Sequence, residues 1–260
     1  MEYSAELRTV NVTRYVMPLR EGGSLPAIAG ADDGFLYVLK FRGAGQGIKT
    51  LVAEMIGGEL ARLAGLKVPE IVLAQLNEAF GRTEPDEEIQ DLLKASTGLN
   101  IALHYLSGAV SFDAAVTQPD ALLASKIVWL DALLLNVDRT ARNTNMLQWN
   151  KELWLIDHGA ALYFHHAWQG REEYISNPFV QIKDHVLLPF ATSIQQADEY
   201  MKTQFTPQAI TAIINLLPDE WLQWDETLTA QQVKAFYIEF LNKRIAQSSI
   251  FVNQIQHAGN

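Results

Sequence analysis

Asn136-Val137-Asp138-Arg139-Thr140-Ala141-Arg142-Asn143-Thr144-Asn145 is a polar stretch held between two apolar ones. Ala121 to Leu135 before it reads as a strongly apolar helix, and two short strands after it surround Asn150-Lys151. An Asp, two Arg and three Asn thus gather at the mouth of the most hydrophobic helix in the chain, on the kind of rigid support that carries binding and catalytic groups. Just beyond, Leu153-Trp154-Leu155-Ile156 ends at Asp157-His158-Gly159. A carboxylate at the end of a buried strand, followed by a glycine that frees the backbone, suits a hard cation such as Mg²⁺, which takes oxygen donors. The same Asp-x-Gly is also an ordinary turn signal.

Toward the N-terminus, Phe35-Leu36-Tyr37-Val38-Leu39-Lys40-Phe41 is a strand with a lysine inside it. Strand alternation lets Lys40 face either solvent or a cleft. Gly43-Ala44-Gly45-Gln46-Gly47 then opens a helix with Ile48, Leu51, Val52, Met55, Ile56, Leu60 and Leu63 at helical spacing, closed by Gly65. Glu54 sits on or beside that apolar face, where an unpaired carboxylate is costly and needs a cation. Lys40 is the nearest candidate in chain order; Glu59, offset from Glu54 by about 140° of helix rotation, competes for it.

Residues 9 to 19 form a further strand, followed by the turn-rich Glu21-Gly22-Gly23-Ser24; strands are also expected at Ile71 to Leu76 and Leu99 to Leu106, with a charged helix at Glu87 to Ala95. Beyond Gly108 the pattern turns helical, and after Ser193 almost wholly so. The expectation is an α+β chain of two lobes, a strand-rich one over residues 1–106 and a mainly helical one over 107–260. With 260 residues, 48% of them hydrophobic, and no cysteine, the chain folds by packing alone. Its net charge of -10 opposes a broad electrostatic grip on nucleic acid or anionic membrane. No apolar run approaches the ~18 residues of a membrane span. Met1-Glu2-Tyr3-Ser4-Ala5-Glu6 has no basic stretch leading into an apolar one, as expected of a cytoplasmic protein.

Strand lysine, helix glutamate, Asp-x-x-x-x-Asn loop and strand-terminal Asp-x-Gly follow one another in the order used by protein kinases, on matching element types. The stretches Glu21-Gly22-Gly23-Ser24-Leu25-Pro26, Tyr37 to Phe41, Asn136 to Asn143 and Leu155 to Gly159 resemble HipA-like kinases of the short group, over roughly residues 10 to 190. The resemblance implies a two-lobed protein-kinase-like fold and a phosphotransferase that uses ATP and Mg²⁺ to phosphorylate a hydroxyl acceptor, with serine or threonine of a protein among the candidates. It makes residues 1–106 the nucleotide-binding lobe and 107–260 the catalytic lobe. It implies that Lys40, oriented by Glu54, holds the α- and β-phosphates, and that Asp138 accepts the proton of the substrate hydroxyl. Asn143 and Asp157 would hold the metal, and Arg142 would keep positive charge near the transferred phosphate. Gly22, Gly23 and Ser24 would cover the phosphates; His104, Tyr105 and Leu106 would form the adenine hinge. Two positions depart from the family pattern: Thr140 and Arg142 stand where many such loops carry His and Lys.

Two rival readings compete. Gly43 to Thr50 follows a strand and opens a helix like a phosphate-binding P-loop, with Lys49 as its lysine, but Ile48 intervenes where that motif needs glycine directly before lysine. A kinase-shaped module that binds ATP without transferring phosphate is the other. His165-His166 is an adjacent pair, not the i, i+4 pair of a helical zinc site, and is expected in the loop after Asp157, bordering the substrate.

Overall fold

The computed structural model describes residues 6–19, 25–45, 47–80 and 85–259. Its first hundred residues build a closed barrel from β1 (Thr9–Pro18), β2 (Ala27–Ala31), β3 (Leu36–Lys40), β4 (Ile71–Leu76) and β5 (Gly98–His104), ordered β1-β2-β3-β5-β4. Closure comes from β1 lying parallel to β4, with Thr9 opposite Leu73. Side chains alternate across each strand. Val72, Ala74, Leu76, Ala102, Tyr37 and Leu39 therefore point into the barrel, while Ile71, Ile101 and Leu103 point out and join the main core. Ala-Ile-Ala-Gly-Ala of β2 has weak strand propensity and carries no strand signal of its own. Its small side chains fit the interior of so narrow a barrel.

Helix α1 (Ile48–Leu63) covers the outward face of the barrel, and α2 (Glu87–Ala95) packs Leu92 and Leu93 at its edge. The α2 start is capped by Asp86, whose carboxylate accepts the Glu88 and Ile89 N–H groups. The chain leaves β5 through Tyr105, whose N–H bonds the Leu36 carbonyl at 2.8 Å, and turns at Gly108 with φ +79°.

The remainder is helical around α3 (Ala121–Leu134), whose residues from Ile127 to Leu134 are all buried. Asp120 caps its start by accepting the Leu122 and Leu123 N–H groups at 3.0 Å. Packed about it are α4 (Ile194–Gln204), α6 (Ala230–Ala246) and α7 (Ser249–Ala258), while α5 (Pro207–Asn215) lies against α6 and α1. Inside, the Trp129 indole N–H donates to Asp198 of α4 at 2.8 Å. A three-stranded sheet of β6 (Val110–Ser111), β7 (Met146–Trp149) and β8 (Glu152–Leu155) edges this part. Between Asp157 and α4 the chain runs in 3₁₀ turns, Tyr163–Ser176, Val180–Asp184 and Leu188–Phe190, which have no apolar period to announce them. The fold is α+β, with a strand-rich first lobe and a helical second one. Among the described residues no helix is long and apolar enough to cross a membrane.

Candidate active site

Lys40 ends β3 opposite Ile101 of β5, and Val38 two residues earlier stands opposite Leu103. Lys40 therefore shares the barrel's outward face with Ile101 and Leu103, the face that α1 covers. Solvent lies on neither side of the strand here, and the lysine is buried. Its ammonium donates to Glu54 Oε2 of α1 at 2.6 Å and to Asp157 Oδ1 at 2.7 Å. Burial alone would lower the Lys40 pKa, but the charges of Glu54 and Asp157 outweigh it and hold the group above its ordinary value. Burial would likewise raise Glu54; the Lys40 ammonium overcomes this and takes the carboxyl down to about 2. Glu59, the competing partner, instead accepts from Arg62 at 2.8 Å.

Asp157 adopts φ +56°, a left-handed conformation uncommon outside glycine, and its side chain remains 46% exposed. The next residues seal the segment against α1. His158 is fully buried, and its imidazole stands 3.9 Å from Glu54 Oε1, too far for a hydrogen bond. Gly159 approaches α1 so closely that a Cβ there would lie 2.5 Å from Thr50 Cγ2.

The Asp138 loop rests on a buried polar platform. Asp131, the one acidic residue of α3, accepts from Arg139 Nε at 2.6 Å and from the Asn136 amide at 2.8 Å. His185 Nε2 meets the same carboxylate at 2.9 Å, while its Nδ1 accepts the Leu187 N–H at 3.0 Å, which fixes the tautomer as Nε2–H donating to Asp131. Burial would raise the Asp131 pKa; the Arg139 charge and the His185 bond drive it far below the usual carboxylate range. Arg139, itself buried, also donates to the carbonyl of Asn145.

Above this platform Asp138 is partly exposed, and its Oδ2 receives the Asn143 amide at 2.7 Å and the Asn145 amide at 3.1 Å. The Asn145 carbonyl also accepts the Ile156 N–H at 3.0 Å, so the loop is stitched to the residue just before Asp157. The sequence spacing that singles out Asp138 and Asn143 thus corresponds to a direct bond, and the two polar stretches lie side by side. Because Asn143 gives its N–H to Asp138, its amide oxygen is left for another partner. That oxygen and the Asp157 carboxylate are the hard donors a Mg²⁺ ion takes, so the residues present fit such an ion.

The other expected residues vary in position. Arg142 is exposed on the loop. His104 ends β5 with its ring edge-on to Phe35 and Tyr37, Tyr105 is partly buried and Leu106 buried. Gly22, Gly23 and Ser24 lie outside the described residues. His165, expected beside the substrate, is buried, with Nε2 2.6 Å from the Tyr237 hydroxyl. Lys49 donates to the His165 carbonyl at 3.0 Å, and the Gly43-Ala44-Gly45 loop borders a cavity of about 390 Å³ that also carries Glu88 and Asp91, acidic surroundings for a phosphate. Asp131, Arg139, Asn145 and His185 are the participants that motif spacing misses. Asp131 alone had a visible signal, a lone carboxylate inside an apolar helix.

A family model described as HipA-like kinase matches residues 12–251. Among solved structures, a Helicobacter pylori proinflammatory kinase, CtkA, aligns with a TM-score of 0.56 at 15% identity, covering 89% of this chain and 94% of that one. The Golgi casein kinase with Mn/ADP bound aligns with a TM-score of 0.50 at 13% identity, covering 97% of this chain and 74% of that one. At these identities the likeness speaks for the fold. No curated protein matches the chain.

Proposed function

The chain belongs to the HipA-like kinase family of phosphotransferases, and from that premise we propose that it transfers the γ-phosphate of ATP to a serine or threonine hydroxyl with the help of Mg²⁺. The observation that carries this reading is the convergence on one ammonium: Lys40 of the barrel, Glu54 of α1 and Asp157 of the second lobe meet within 2.7 Å, next to a loop that presents Asp138. Phosphoryl transfer asks a protein mainly for positioning and charge neutralisation, and this arrangement supports both.

In this reading Lys40 binds the α- and β-phosphates, with Glu54 holding the ammonium in place. Asn143 and Asp157 hold Mg²⁺, which neutralises charge on the phosphates when bound. Asp138 accepts the proton of the acceptor hydroxyl as the oxygen attacks the γ-phosphorus and the bond from that phosphorus to the β-phosphate oxygen breaks to release ADP, and Arg142 supplies positive charge beside the loop. His104, Tyr105 and Leu106 line the adenine end, Gly22, Gly23 and Ser24 cover the phosphates, and the lobes divide at residues 106 and 107. The Mn/ADP of the Golgi casein kinase supports a metal–nucleotide pair on this fold. Lack of a membrane-spanning helix among the described residues is compatible with a cytoplasmic location.

The test is incubation of the purified protein with γ-labelled ATP and Mg²⁺, wild type beside Asp138→Ala and Lys40→Met. Label on an acceptor protein or on the chain itself should vanish in both variants while Asp138→Ala still binds nucleotide. Transfer that persists in Asp138→Ala would overturn the assignment. Nucleotide binding without transfer by the wild type, across a panel of acceptors, would favour the binding-module reading.

A further inference from the structure

Lys49, the lysine of the failed P-loop match, carries the inference. We propose that Lys49 is a positioning residue: it straps the start of α1 to the segment following Asp157 and so keeps Glu54 within reach of Lys40. The functional half of this proposal rests on the phosphotransferase reading above; the mechanical half does not.

Lys49 lies in the first turn of α1, five residues before Glu54. Its ammonium crosses 116 positions of sequence to donate to the His165 carbonyl at 3.0 Å, with the Trp224 ring centroid 5.4 Å away. The anchor it grips is rigid. The His165 ring is buried and bonded to Tyr237 of α6, Phe164 is fully buried among Phe236, Tyr237 and Phe240, and the Trp168 indole N–H donates to Asp225 at 3.0 Å. Gly47 at the N-cap offers no side-chain oxygen, and the first turn holds no acidic residue.

Two further contacts lie along the same seam. Thr50 faces Gly159, and Gly57 faces His158, each so close that a Cβ on the glycine would fall 2.5–2.6 Å from its neighbour. These are steric contacts, which resist approach but do not resist separation. Lys49 adds an attractive, directional bond at the open end of the seam. Without it, α1 can swing outward at its N-terminus and carry Glu54 away, leaving Lys40 to Asp157 alone. A nucleotide whose phosphates need a fixed Lys40 would then bind only the fraction of molecules with α1 seated, and its apparent affinity would fall by that fraction.

The experiment compares wild type, Lys49→Met, which keeps the apolar stem, and Lys49→Arg, which can still donate to the carbonyl. Amide hydrogen exchange should speed up about tenfold or more through residues 48–56 and 163–168 together in Lys49→Met, with wild-type protection in Lys49→Arg. Unchanged exchange in Lys49→Met overturns the strap whether or not the protein is a kinase. In Mg²⁺-ATP turnover, the KM for ATP should rise about tenfold in Lys49→Met with kcat changed by less than about twofold, and Lys49→Arg should restore it. A fall in kcat at constant KM, or no rescue by arginine, assigns Lys49 a merely structural role and overturns the proposal. A wild type that transfers nothing sinks the phosphotransferase reading instead, with the exchange result still deciding the strap.

Discussion

Asn145 donates its side-chain amide to Asp138 Oδ2 at 3.1 Å, the oxygen that also takes the Asn143 amide. Two donors on one oxygen fix the carboxylate's rotation and leave Oδ1 as the edge that can face an acceptor hydroxyl. Asn145 holds a left-handed φ of +47°, and its carbonyl is fixed by Arg139 and Ile156. Asn145→Gly removes the amide without the strain that alanine would meet at this φ. A charge-assisted hydrogen bond of about 1.5–3 kcal/mol lost only from the orientation of Asp138 corresponds to a roughly ten- to hundredfold drop in kcat. Nucleotide affinity should stay within about twofold, because the amide touches only the carboxylate. Steady-state kinetics beside a nucleotide titration decide; unchanged kcat removes Asn145 from the machinery.

Stability should fall in two steps as the pH is lowered, and the Asp131 platform accounts for both. Burial holds the His185 pKa below its ordinary value, so between about pH 6.5 and that lowered value the unfolded chain binds the extra proton, and stability declines as pH falls. Asp131 is depressed in the opposite sense of charge: its contribution is complete above the unfolded value of about 3.9 and is lost as pH falls below it, in step with Glu54. His185→Gln should flatten the first decline and keep the second. Urea midpoints at pH 8, 6 and 5 read the first step and one at pH 3 the second, and a variant that declines as wild type does between pH 8 and 5 counts against it. Asp131→Ala, which strands the buried Arg139 charge, should cost about 3–5 kcal/mol at pH 7.5.

Arg244 of α6 is buried and, among the described residues, bonds no carboxylate. Its guanidinium instead donates to the carbonyls of Ala132 and Leu133 at the end of α3, and to Tyr174, Ile175 and Asn177 of the 3₁₀ segment. It thus supplies the Leu133 carbonyl at the end of the helix that presents the Asp138 loop, while the Asp131, Ala132 and Leu134 carbonyls also take the backbone N–H groups of Asn136, Leu135 and Leu162. Burial among neutral partners pulls its pKa down to about 10. Arg244→Met should leave the buried Leu133 carbonyl and the half-buried Ile175 and Asn177 carbonyls without this donor, and destabilise by about 2 kcal/mol or more, at about 1–3 kcal/mol for a buried acceptor left unpaired. Lysine, a compact point donor, should recover less than half of that. Equal urea midpoints for Arg244→Met and wild type would show the carbonyls find other partners.

Much of this architecture is legible in the chain before it folds, and the illegible parts have identifiable reasons. Helix α1, the apolar α3 and the strand ending at Asp157 declare themselves through periodicity, because their partners are generic apolar surface. Lys40 does not: alternation gives it one of two faces, and only closure of the barrel by the distant β1–β4 pairing puts α1 over that face. The strand β2 hides because the interior demands small residues that read as loop. Asn145 hides because its chemistry depends on a left-handed φ, which no spacing rule encodes. His165 was legible as an imidazole beside the Asp157 loop, but its burial against Tyr237 depends on α6, some seventy positions later.

Gly57 and Gly58 make a paired test of how tightly α1 is seated. Alanine gains up to about 1 kcal/mol over glycine inside a helix, so either substitution would stabilise α1 if space allowed. At Gly57 a Cβ would meet His158 Cβ at 2.6 Å and Cγ at 2.9 Å, atoms fixed by the backbone next to Asp157. At Gly58 the one short contact is 2.3 Å to Ile71 Cδ1, the end of a side chain that can rotate, with the next atom 3.6 Å away. Overpacking against fixed atoms costs about 1–3 kcal/mol, which exceeds the helix gain at Gly57 and is partly relieved at Gly58. Gly57→Ala should therefore lower stability by about 1–2 kcal/mol and depress phosphate transfer, since His158 can yield only by moving Asp157. Gly58→Ala should lie within about 1 kcal/mol of wild type and keep full transfer. Adding His158→Gly to Gly57→Ala, which removes the Cβ along with the ring, should recover stability relative to His158→Gly alone, a coupling of opposite sign to the single substitution, measured by a double-mutant cycle. Additive effects in that cycle would mean that α1 accommodates the methyl by shifting as a body, and that the seam with His158 does not fix where Glu54 stands.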